Sequence, residues 1–184
     1  SEYMHKWSIF MTKTTLSGQK IAIMVATGFE EKNFVEIQKM LIGQNAQLKV
    51  ISASTGLVQG RTGTQLGMSY PVDSQLSETL AVDYDALIIP SGKMHLETLA
   101  EELHAARIIK AFLRENMPVL VQGDALNLIS EIDSTIQTEL IRDKGEIVRH
   151  NRLLWVDDEM SITIITRDFV AVCLEEQNGD SAAA

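Results

Sequence analysis

The residues able to do chemistry in this chain fall into a few turns. Glu30 and Glu31 follow Gly28 closely, and two adjacent carboxylates there could share acid/base work across a crevice. At the start of a helix the same charges simply complement the positive end of the dipole. Ser91-Gly92 is followed by His95, the best titratable group for a pocket, yet i and i+4 on a loop do not fix a serine–imidazole hydrogen bond, and no G-x-S-x-G surrounds the serine. A capping or surface role is the plainer reading of His95. The segment Pro118 to Ile129, PVLVQGDALNLI, reads as a short buried strand, a sharp turn at Gln122-Gly123-Asp124 and the first turn of a helix that carries Asn127. Such a strand-to-helix turn is a place where nucleophiles are held, with helix amides aimed at them. Here it holds Gly123, and Asp124 reads as the helix N-cap.

Other chemistries fare worse. The single cysteine, Cys173, falls on the apolar stripe of a final helix and reads as an inert buried thiol. His5, His95, His104 and His150 have no metal-ligand spacing. The glycines Gly56, Gly60, Gly63 and Gly67 form neither G-x-x-x-x-G-K nor G-x-G-x-x-G, so no phosphate loop is expected. No metal and no cofactor are expected.

The elements that must position these turns alternate. Ile21 to Ala26 is a continuous apolar run, as in a strand covered on both faces, and Glu30 to Ile42 places Phe34, Ile37 and Leu41 on one helical face with Gly43 to end it. Leu48 to Ala53 reads as strand two, the glycine-rich Ser54 to Asp73 as a side hairpin, and Ala86 to Ile89 as strand three. Leu96, Leu99, Leu103 and Phe112 align on a helix that stops before Pro118. After strand four, Thr135 to Val148 carries no clear period, Leu153 to Val156 suggests an extended piece, and β-branched Ile162 to Ile165 reads as strand five, with Asp168 capping the last helix above Phe169 and Val172. The expectation is an α/β, flavodoxin-like, doubly wound and mainly parallel five-stranded sheet with a small side hairpin. Residues 1–19 read as an extension and linker, with Trp7, Ile9 and Phe10 packing somewhere, 20–177 as one domain and 178–184 as a tail. The turns Gly28 to Asn33, Ser91 to His95 and Gln122 to Asn127 should meet beyond the carboxyl ends of the strands.

Composition bounds the partners. With 184 residues, 45% of them apolar, one core is sufficient, and 16 Lys+Arg against 25 Asp+Glu give a net charge of -9. Nucleic acid and anionic membrane are therefore poor partners. Arg142, Lys144, Arg149 and Arg152, interrupted by Asp143 and Glu146, read as a solvated face. One cysteine, no long apolar run and no secretory h-region make the cytoplasm the default.

Three of these segments carry a resemblance. KIAIMVATGFEE, VDYDALIIPSG and the PVLV strand with its small-residue turn together resemble the ThiJ/PfpI superfamily, related to class I glutamine amidotransferases, from about Lys20 to Gln177. That resemblance implies a cysteine at the elbow, a glutamate after strand one and oxyanion amides from a Pro-Gly-Gly turn. In this chain the matching positions hold Gly123, Asn33 and Ser91-Gly92, with Asp124 where a histidine follows. Sliding the match by one residue to make Asp124 the nucleophile would invert the side chains of the strand across the sheet. A glycine at a strained elbow removes the cost of a positive φ once nothing reactive is required. The Gly-Asp-Ala form is more similar to the C-terminal domain of large-subunit catalases, which implies no chemistry of its own; the chain is too short to hold a haem-binding core as well. The leading expectation is thus a catalytically degenerate structural, interaction or chaperone-like module, a homodimer or higher homo-oligomer with a possible protein client. The alternative is a protein or hydrolase/amidase that uses Glu30, Glu31, Ser91, Gly92, His95, Asp124 and Asn127 around a small polar ligand.

Overall fold

The computed structural model describes residues 15–136 and 147–175. Its elements in order are β1 (Lys20–Met24), β2 (Phe29–Glu30), α1 (Glu31–Gly43), β3 (Gln47–Ser52), β4 (Leu57–Thr62), β5 (Gln65–Pro71) and β6 (Ser74–Gln75). Two 3-10 turns (Leu76–Glu78 and Ala81–Asp83) lead to β7 (Ala86–Ile89), α2 (Lys93–Ala100), α3 (Leu103–Arg114), β8 (Val119–Gln122), α4 (Ala125–Ile132), β9 (Val148–His150), β10 (Leu153–Val156) and α5 (Ile162–Leu174).

The main sheet runs β6-β3-β1-β7-β8-β10-β9, seven strands rather than five. Its five central strands, β3-β1-β7-β8-β10, are parallel and in flavodoxin-like order; β6 adds a short parallel edge and β9 an antiparallel one. Both faces are covered, so alternate residues of each strand enter different cores. Ala22, Met24, Leu87, Ile89, Val119, Val121 and Trp155 pack under α2, α3 and α4, while Ile21, Ile23, Ala86, Ile88, Leu120, Leu154 and Val156 pack against α1 and α5. The expected side hairpin is β4–β5, antiparallel, with a register shift between Gln59 and Arg61 and with β2 paired in parallel to β4.

Several expectations are corrected. Ile162 to Ile165 is the first turn of α5, not a strand: Ile165, Phe169 and Val172 bury one helical face, Thr166 returns its hydroxyl to the Ile162 carbonyl at 2.6 Å, and burial periodicity overrides β-propensity. The fifth parallel strand is Leu153–Val156, buried along its whole length, and the N-cap of α5 is Ser161 rather than Asp168. The helix expected from Leu96 to Phe112 is two helices, broken at Glu101 and Glu102, where the Glu102 carboxylate accepts the His104 amide at 3.1 Å. Leu103 is consequently 84% exposed, and α3 buries Ala105, Ile108, Ile109 and Phe112 instead. Gly43 is the last residue of α1, and Asn45 supplies the positive φ beyond it. Leu16, assigned to the linker, is fully buried in the core beneath α1 and α5. Arg152 is buried and donates to the Val172 carbonyl at 2.7 Å, holding the end of α5, so it leaves the expected solvated face, whereas Arg149 stays exposed in a surface pair with Glu175. Trp7, Ile9, Phe10, Arg142, Lys144 and the 178–184 tail lie outside the described residues.

Candidate functional site

The three expected turns do meet at the carboxyl ends of β1, β7 and β8. Gly92 makes the meeting possible: with φ +135, a Cβ there would fall 2.7 Å from the Gly28 carbonyl oxygen and 2.8 Å from the Glu30 amide nitrogen. The Glu30 amide donates to the Ser91 carbonyl at 2.9 Å, tying the turn after β1 to the turn after β7. His95 locks the same junction from below. It is fully buried; its Nδ1 accepts the Ala26 amide at 3.1 Å and its Nε2 lies 2.7 Å from the Pro90 carbonyl, an arrangement satisfied by a neutral ring protonated on Nε2. Burial pushes its pKa down to about 4, against the bond to Pro90, which favours the proton.

Above this junction is a polar cavity of about 610 Å³, lined by Glu30, Asn33, Ser91, Gly92, Asp124 and Asp158, with Lys32, Lys93 and Glu159 around it. The structure thus brings together five of the residues singled out from the sequence as elbow, pocket or glutamate-position residues, Glu30, Asn33, Ser91, Gly92 and Asp124, and leaves others out. His95 is beneath the floor. Glu31 turns to the side hairpin, where its carboxylate accepts the Tyr70 hydroxyl at 3.0 Å and the Met68 amide at 3.1 Å. Asn127 is exposed on α4 and does not line the cavity. Cys173 is on α5 beside Arg152 at a separate small cavity, its thiol pushed up to about 12 by burial.

At the elbow itself Gly123 has φ +51, its amide bonds the Val156 carbonyl at 2.9 Å, and its own carbonyl accepts the Trp155 indole at 2.9 Å. Asp124 is the N-cap residue of α4 by position but makes no side-chain capping bond, because its φ of -71 and ψ of -5 are helical rather than extended. The residue missed from the sequence is Asp158. A Cβ added at Gly123 would lie 2.2 Å from its Oδ1, so this carboxylate fills the space into which an elbow side chain would project.

The carboxylate is held in a short relay. The Asn33 amide donates to the Ser91 hydroxyl at 3.0 Å, and that hydroxyl donates to Asp158. Burial raises the Asp158 pKa, the Ser91 bond opposes this, and the negative charges of Asp157, Asp124 and Glu159 add to the rise. Glu30 is raised too, by burial first and then by Asp158, with Lys32 opposing. Two carboxylates that each disfavour the other's ionisation therefore face one cavity, a setting suited to holding a proton or a hydrogen-bonding ligand. Among the described residues, no group of three or more His, Cys, Asp or Glu is arranged to hold a metal ion.

The sheet order and the glycine elbow define a class: flavodoxin-like α/β proteins whose site is the crevice at the carboxyl ends of the parallel strands. Within that class the chain belongs to the DJ-1/PfpI family, which it matches over residues 19–131. It is similar to catalase HPII of Pseudomonas putida, 27% identical over 147 residues that make up 80% of this chain and 18% of that protein. General stress protein 18 of Bacillus subtilis is 30% identical over 103 residues, 55% of this chain and 58% of that protein. The chain thus spans less than a fifth of the catalase and a little over half of the stress protein. A two-domain protein from Anabaena variabilis, with DJ-1/ThiJ/PfpI-like and ferritin-like domains, shares the fold with a TM-score of 0.72 at 17% identity, over 83% of this chain and 47% of that one.

Proposed function

We propose that this chain is a cysteine-independent DJ-1/PfpI domain that works by binding, as a structural or interaction module in a stress-related setting, rather than by covalent catalysis. The observation that carries this reading is the Asp158 carboxylate seated over Gly123. A nucleophile needs an attacking atom at the elbow and room for a substrate carbonyl beside it; Gly123 supplies no such atom, and a carboxylate bonded to Ser91 fills the room. Similarity to general stress protein 18 and to catalase HPII supports the stress-related part. A homodimer or higher homo-oligomer in the cytoplasm completes the proposal; among the described residues no helix is long and apolar enough to cross a membrane. The test is an assay of the purified full chain against ester, amide and glycated-amine substrates. Turnover that co-purifies with the protein and is lost in Asp158→Asn would defeat the reading; no turnover, with Asp158→Asn folded and unchanged in assembly, supports it.

A second reading is favoured by the polar cavity itself. The crevice remains large enough for a small polar molecule, and Glu30, Asp158 and the Ser91 hydroxyl offer it hydrogen bonds. A ligand-dependent rise in Tm that disappears in Asp158→Asn, with the fold intact, would move this reading ahead.

A further inference from the structure

We propose that the groove between α3 and the two 3-10 turns is a docking site for an acidic, amphipathic segment of a partner protein, an inference that rests on the interaction-module reading. The groove has a volume of about 940 Å³, and three large apolar side chains on its walls face water: Leu80 is 54% exposed, Val82 86% and Leu103 84%. Apolar side chains of this size gathered on one surface mark an interaction site more often than isolated ones do. The floor beneath them is firm. Tyr84 is buried, with the Lys20 ammonium 4.9 Å from its ring centre, and Arg107 donates to the Leu76 and Thr79 carbonyls at 2.8 and 2.9 Å, pinning the first 3-10 turn to α3.

Charge decides what fits. In a chain carrying 16 cations against 25 anions, this groove reverses the balance: Arg107, bonded to the Leu76 and Thr79 carbonyls, Lys110 and Arg114 stand on its wall with one anion, Glu115, which lies 3.5 Å from Arg114 in an exposed pair open to exchange. Positions 107, 110 and 114 follow i, i+3 and i+7, so the cations form a stripe about 10 Å long along α3, two turns of an approaching helix. A segment with apolar residues on one face and Asp or Glu beside them would seat the first on Leu80, Val82 and Leu103 and the second against Lys110 and Arg114.

The test uses the full chain and two fluorescein-labelled helical peptides of about 14 residues, both with leucine at i, i+4 and i+7, one flanked by glutamate and the other by lysine. The acidic peptide is expected to bind at least about tenfold more tightly than the basic one and to weaken as salt is added. Val82→Asp, and separately Lys110→Glu with Arg114→Glu, should each cost about tenfold in affinity with an unchanged Tm, because these side chains are exposed. Equal affinity for the two peptides, no binding at millimolar peptide, or binding indifferent to both variants would overturn the proposal. So would concentration-dependent self-association that is lost in Val82→Asp, which would assign the groove to a second copy. Turnover in the assay of the crevice defeats the module reading whatever the peptides do; absent turnover, a failed peptide experiment removes the groove alone.

Discussion

Asp158 and Gly123 are locked together at the elbow: the carboxylate of one occupies the volume a side chain on the other would need, 2.2 Å from the position of an added Cβ. Placing a thiol at the elbow is therefore not a matter of one substitution. Gly123→Cys meets both this contact and a φ of +51, and is expected to lower stability by about 1–3 kcal/mol in denaturant titration. Gly123→Cys with Asp158→Gly should recover the part due to the contact and keep the part due to the backbone. Equal stability of the single and double variants would show that the two residues are not coupled.

The charge on Asp158 has a cost at neutral pH. Its native pKa is raised, so the folded state binds its proton more tightly than the unfolded chain does, and stability falls as pH rises through the native value. Asp158→Asn removes that charge while retaining an acceptor for Ser91, and its Tm at pH 7 should exceed that of the parent. At pH 3, where both are neutral, the difference should vanish. A lower Tm in the variant at pH 7 would mean that the carboxylate receives more support than Ser91 and Asn33 supply.

His95 acts in the other direction. Its native pKa of about 4 is below the ordinary imidazole value of about 6.5, so the unfolded chain takes up a proton that the folded state refuses. Stability attached to this group is intact above pH 6.5 and lost progressively as pH falls towards 4, by roughly 3 kcal/mol across that window. Glu30 and Asp158, with raised values, contribute the opposite slope, so the measurement is the difference between parent and His95→Gln urea curves over pH 4–7. His95→Gln is expected to start less stable and to lose the acid-induced decline. Parallel curves would show that the ring charges without consequence.

Glu31 is expected to matter for the hairpin rather than for any ligand. Its carboxylate accepts from Tyr70 and Met68, and a Cβ at Gly67 would fall 2.7 Å from its Cδ. Tyr70 is raised to about 12, first by burial and then by Glu31. In Glu31→Gln, alkaline absorbance titration should show the Tyr70 phenol moving down towards its ordinary value near 10, with faster protease cleavage in β4–β5. Gly67→Ala, whose Cβ would displace the Glu31 carboxylate, should destabilise the hairpin and move the phenol down in the same direction.

The contrast between elements explains what the sequence disclosed. IAIM, ALII and VLV were legible because strands covered on both faces are apolar without interruption, and the glycine elbow was legible because Gly123 interrupts such a run. Ile162 to Ile165 misled because a β-branched run looks alike on a strand and on the first turn of a buried helix. That one misreading hid Asp158. With Leu153–Val156 as the fifth parallel strand, the residues just past its carboxyl end, Asp157 and Asp158, fall at the mouth of the crevice by topology alone. His95 failed as a pocket residue for a different reason: no local pattern separates a histidine facing a cavity from one buried beneath it, where two backbone groups replace water.

The register shift in the β4–β5 hairpin reaches further than its local geometry. β5 is an outer strand with Leu66 and Met68 more than half exposed, the kind of surface on which a passing strand can add itself and begin a fibre. The shift between Gln59 and Arg61 breaks the ladder, the Met68 amide is already taken by Glu31, and Pro71 has no amide to offer. An incoming chain finds no unbroken row of partners along β5, which works against strand addition at this apolar edge.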